Sequence, residues 1–132
     1  MSFLGDAFSF WKEWKDNQIR LLVTVNPFVA TDGRSGKVIT VSNVGKRPLT
    51  ILEVYLPVLD SDMKIRLNPE PSLNDRPLPC FISSGEVFRI HLPCGMDIFD
   101  DASLCGNIMV RTSLGQVIEG PSLFESNGDD AK

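Results

Sequence analysis

One histidine and three cysteines are all this chain of 132 residues holds of the side chains that most often bind metals or act as thiol and imidazole catalysts. His91 would have to serve as base for any serine or cysteine nucleophile, and no Gly-x-Ser-x-Gly elbow is present. Structural zinc would need Cys80, Cys94 and Cys105 together with His91, yet no close Cys-x-x-Cys pair sets the usual spacing. An odd number of cysteines without paired spacing suits thiols in a reducing compartment. Phosphate loops are also missing, because Gly33-Arg34-Ser35-Gly36 lacks the following helix of a nucleotide site. Basic residues are scattered, with Lys46-Arg47 as the adjacent pair, and the net charge of −4 disfavours nucleic acid as a partner. No run approaches the roughly 20 apolar residues that span a bilayer. The first ten residues carry no basic region, and Asp6 interrupts their apolar content. These absences lead us to expect a cytoplasmic, non-enzymatic protein without cofactor or metal.

What the chain does hold is a change of period near Asn17. Before it, Phe3, Ala7, Phe10, Trp11 and Trp14 follow the stripe of an amphipathic helix, with Lys12, Glu13, Lys15 and Asp16 largely opposite. After it, apolar residues alternate with polar ones in runs separated by turn chemistry. Ile19, Leu21, Val23 and Val25 form a first strand ending at Asn26-Pro27. Further strands are predicted over residues 37–43, 49–56, 63–67, 86–92, 106–112 and 116–119. The expected organisation is a helix over 1–17, an all-β, immunoglobulin-like β-sandwich of about seven antiparallel strands over 18–124, and a disordered acidic tail over 125–132.

Residues 37–56 read as two antiparallel strands around the turn Asn43-Val44-Gly45-Lys46-Arg47-Pro48, with Gly45 expected at positive φ. Leu49 and Ile51 lie on one phase, Val54 and Leu56 on the other, so a bulge near Leu52-Glu53 is needed to keep both pairs inward. Four prolines between residues 68 and 80 remove too many amide donors for a central strand, which predicts an extended loop passing from one sheet to the other. Met96-Asp97-Ile98-Phe99 offers one helical turn.

Three segments, 41–51, 82–90 and 110–117, resemble small immunoglobulin-like sandwiches of bacteria and phage. The resemblance spans about residues 8–120, and it implies a phage or prophage accessory protein with an aromatic stalk helix. Its motifs specify turns and bring no catalytic residue.

Among candidate sites, alternation places His91 on an outer sheet face beside Arg89, as a surface histidine. Asp60 and Asp62, and Asp97 with Asp100 and Asp101, could supply oxygens to calcium, although neither segment has the twelve-residue loop spacing. The glutamates at 53, 70, 86, 119 and 125 mostly punctuate turns and strand ends. The aromatic stripe either covers the sandwich or docks on a partner or a second copy; a membrane surface is disfavoured because the helix lacks a cationic flank. The expected function is therefore a protein–protein interaction or self-association module using Phe3, Phe10, Trp11 and Trp14. A ligand- or calcium-binding sandwich is the alternative.

Overall fold

The computed structural model describes residues 20–94 and 105–123. The predicted helix over 1–17, the turn at 96–99 and the acidic tail lie outside the described residues.

The described residues are all-β. In chain order the strands are β1 (Leu21–Val29), β2 (Ser35–Asn43), β3 (Leu49–Pro57), β4 (Lys64–Arg66), β5 (Cys80–Ile82), β6 (Val87–Pro93), β7 (Met109–Thr112) and β8 (Val117–Glu119). Strands β1, β2 and β6 form one antiparallel sheet in that order. A second antiparallel sheet runs β4-β3-β7-β8, with β5 also paired to β3. Period-two alternation explains how the sheets share one core: Ile39 and Val41 of β2 with Phe88, Ile90 and Leu92 of β6 are buried with Ile51, Val54 and Leu56 of β3, Ile82 of β5 and Val110 of β7.

The bulge expected in β3 is present. Its register against β7 shifts between Ile51 and Glu53, and Leu49, Ile51, Val54 and Leu56 are all buried. One extra residue thus keeps an apolar face inward along the whole strand and turns Glu53 outward with Tyr55.

Four expectations require correction. β2 and β3 are not partners, because they belong to different sheets, and the 44–48 turn crosses between layers. Gly45 is not among the positive-φ residues; Asn43 holds that turn instead. The Asn43 Oδ1 accepts the Gly45 N–H at 3.1 Å, and its Nδ2 donates to the carbonyls of Arg47 at 2.9 Å and Ile82 at 3.3 Å. Strand β1 does not stop at Asn26-Pro27 but continues to Val29, with Pro27 opposite Lys37. Proline is tolerated there because β1 is an edge strand, where a missing outward N–H costs no ladder bond.

The fourth correction concerns residues 68–80, which do not pass from sheet to sheet. They leave β4, visit the edge of β6 and return to the same sheet as β5, the strand that the alternation did not reveal. Pro71–Leu73 forms a single 3-10 turn in this loop, capped by the Glu70 carboxylate accepting from Ser72 N. Arg34 ties the loop to the β1–β2 turn by donating to Ser72 Oγ at 2.8 Å.

Candidate functional site

The outer face of the larger sheet concentrates charge around Glu53. Register sets the arrangement: Glu53 lies opposite Arg111 on β7, and Arg66 on β4 lies opposite Tyr55, diagonal to Glu53. Glu53 Oε1 accepts from Lys64 Nζ at 2.8 Å and Arg111 Nε at 3.2 Å, and Oε2 accepts from Arg66 Nε at 2.6 Å. Lys64 Nζ also stands 4.8 Å from the centroid of the Tyr55 ring. The carboxylate is 6% exposed, whereas the side chains of Lys64, Arg111 and Arg66 are 41%, 46% and 70% exposed. Three cations thus share one buried anion and turn their remaining donors to solvent. Glu119 occupies the far edge of this face, bound by Asn107 Nδ2 at 2.8 Å.

Beside Glu53 a cavity of about 270 Å³ opens, lined by Arg66, Arg111, Asn68, Leu52 and Leu78. Two guanidiniums next to two leucines suit a carboxylate carried on an apolar stem.

Electrostatics follow from the geometry. The Lys64 hydrogen bond first, then those of Arg111 and Arg66, outweigh burial and hold the Glu53 carboxyl at about 2, below its ordinary 4.5. Because the folded value is depressed, the stabilisation is complete above about pH 4.5 and is lost as pH falls through about 2. With the cations half exposed, solvent screening reduces it to about 1–2 kcal/mol. Acid unfolding of the parent and of Glu53→Gln should show this: the parent is the more stable at pH 6, and the gap closes between those limits. A constant gap would remove Glu53 as its source.

Glu53 is the residue whose role the sequence reading missed, since it was grouped with glutamates at turns and strand ends. The parity change at Leu52-Glu53 was its signal, because a bulge keeps a glutamate within a strand. Lys64 and Arg66, on one phase of β4, were the second.

His91 does lie on the outer phase of β6 beside Arg89, but it is not a free surface histidine. Its Nδ1 lies 2.6 Å from Asp75 Oδ1, its backbone N–H donates to Asp75 Oδ2 at 2.7 Å, and its ring meets Phe28 edge-on with centroids 4.8 Å apart. Asp75 Oδ2 also accepts from Glu70 N at 2.8 Å. This pairing orients an imidazole as a catalytic base would be oriented, yet among the described residues no hydroxyl or thiol is hydrogen-bonded to it.

The interaction residues Phe3, Phe10, Trp11 and Trp14 lie outside the described residues, as do Asp97, Asp100 and Asp101. Asp60 and Asp62 are exposed in the β3–β4 turn, with Asp60 at φ 61. Among the described residues no group of three or more histidine, cysteine, aspartate or glutamate side chains could hold a metal ion, and no helix is long and apolar enough to cross a membrane. Cys80 is buried, which pushes its thiol up, while Cys94 is exposed and Cys105 intermediate; all three are thiols.

No family model, curated protein or solved structure matches the chain.

Proposed function

We propose that this protein is a non-enzymatic protein–protein interaction module that docks an acidic segment of a partner on the face around Glu53. The observation that carries the reading is the imbalance there: one buried carboxylate is shared by three cations whose outer donors are unused by it. An acidic side chain entering between Arg66 and Arg111 gains charge-assisted bonds, while Leu52 and Leu78 cover its stem. A protein partner fits better than nucleic acid because the chain as a whole carries −4, which repels an extended polyanion but leaves a short acidic segment a local attraction. The two sheets and their shared core support an immunoglobulin-like sandwich as the scaffold, consistent with the turn segments at 41–51, 82–90 and 110–117.

The test is fluorescence anisotropy with a labelled peptide alternating glutamate and leucine. Binding should weaken at least about tenfold in Arg66→Ala/Arg111→Ala, should fall steeply with salt, and should survive Lys46→Ala/Arg47→Ala. Equal binding by the Arg66/Arg111 variant would overturn the proposal. So would a single-stranded oligonucleotide that binds more tightly than the peptide.

A further inference from the structure

The sheet edges are treated unequally. Val44 N donates to Arg20 O at 3.1 Å and Ala30 N to Arg34 O at 2.6 Å, so the even-numbered residues of β1 between them exchange bonds with β2. Leu21, Val23 and Val25 therefore turn their N–H and C=O groups away from the sheet. Their side chains pack against the core, and Gly120, after β8, presses on Val23 from inside. The inner face of β1 is covered, but among the described residues nothing is hydrogen-bonded to its outer edge.

The opposite edge of the same sheet is closed. Outward-facing His91 N donates to Asp75 Oδ2, and Val87 O accepts from Arg76 Nη2 at 2.5 Å, so the proline-rich loop occupies the positions that another strand would take. In the larger sheet, β4, β5 and β8 are each three residues long, and β4 carries Lys64 and Arg66. Short edges, charged edges and covered edges are the usual guards against strand addition. Strand β1 carries only Pro27 as a guard, near its far end; residues 21–26 have no charge, and Leu22 is exposed at 53% on the outer face.

We propose that β1 pairs with β1 of a second copy of this chain across a two-fold axis, joining the two small sheets into one of six strands. The occupant follows from the edge itself. Placing Val23 opposite its own mate sets Leu21 against Val25, so each residue that turns its backbone outward meets one that does the same. In that register Arg20 faces Asn26 and Leu22 faces Thr24, so no like charges are opposed. Pro27, which has no N–H, ends the pairing on the far side.

Sedimentation equilibrium on the full chain tests this. The parent should be dimeric at about 100 µM, and Leu22→Lys with Thr24→Lys, which sets lysines opposite one another at the axis, should raise the dissociation constant at least about tenfold. Both side chains point away from the core, so circular dichroism should remain that of the parent. Met63→Lys, at another exposed apolar residue, should leave the mass unchanged. Hydrogen exchange gives an independent measurement: the Val23 and Val25 amides should become more protected as concentration rises. A monomeric parent would overturn the proposal. Concentration-independent protection would overturn it too, since the edge would then be covered within one chain. A dimer lost in Trp11→Ala/Trp14→Ala but kept in the lysine variant would also overturn it, assigning association to the aromatic segment. None of these results depends on the peptide binding proposed above.

Discussion

Asp75→Ala should cost about 3 kcal/mol of stability and should make the protein aggregate on warming. The Asp75 side chain is 1% exposed and accepts from two backbone amides, those of Glu70 and His91, while also engaging His91 Nδ1. An unsatisfied buried donor costs about 1–3 kcal/mol, and water at the sheet edge recovers part of the loss for this group of donors. The aggregation has a separate cause. Without Asp75 the proline-rich loop loses its bonds to His91 and keeps only that of Arg76 to Val87, and a seven-residue strand then presents a largely open edge. Urea unfolding with light scattering on the same samples reads both effects. A variant within about 0.5 kcal/mol of the parent that stays clear on heating would show that the loop is held by other contacts. Asp75→Asn should fall between, because its amide oxygen keeps the acceptor role while its NH₂ group confronts donors.

Phe88→Ala should be the most damaging single truncation of the core, at about 3–5 kcal/mol. Among the described residues Phe88 is the largest of the fully buried side chains, and it stands opposite Val41 in the smaller sheet. Removing its ring leaves a void between two hydrogen-bonded layers, which can collapse only slightly without breaking ladder bonds. Against an ordinary domain stability of about 5–15 kcal/mol this is a large fraction. Phe88→Leu should recover more than half of the loss, and a chemical-denaturation series across the two variants checks the ordering. Equal loss in both would point to the ring's shape rather than its volume.

Most of the strand content was legible because alternation is a local property. Ile39 and Val41, or Phe88, Ile90 and Leu92, declare their inward phase within a few residues, and even the bulge in β3 announced itself through a parity change. What alternation cannot report is which sheet a strand joins. The 44–48 turn therefore did not disclose that it crosses between layers, and the prolines of 68–80 concealed both β5 and the return to the sheet they had left. The same limit hid the chemistry. Glu53, Lys64, Arg66 and Arg111 are spread along the chain and meet only through register, and Asp75 reaches His91 only because a loop folds over an edge. The aromatic residues Phe3, Phe10, Trp11 and Trp14, conspicuous in the sequence, lie outside the described residues.

Strand β3 pairs with β4 nearby, with β5 farther along and with β7 far beyond, while β2 must wait for β6. Each sheet is therefore stitched by contacts between residues as distant as Glu53 and Arg111, and such loops must close before their contacts can reward the closure. A chain emerging from a ribosome could form the β1–β2 hairpin at once, yet β3 would lack its central neighbour until β7 arrived. Synthesis outruns assembly in this topology. The smaller sheet stays unfinished until β6 has been made and the larger one until β7 and β8 follow, so the structure becomes cooperative only when those strands are delivered.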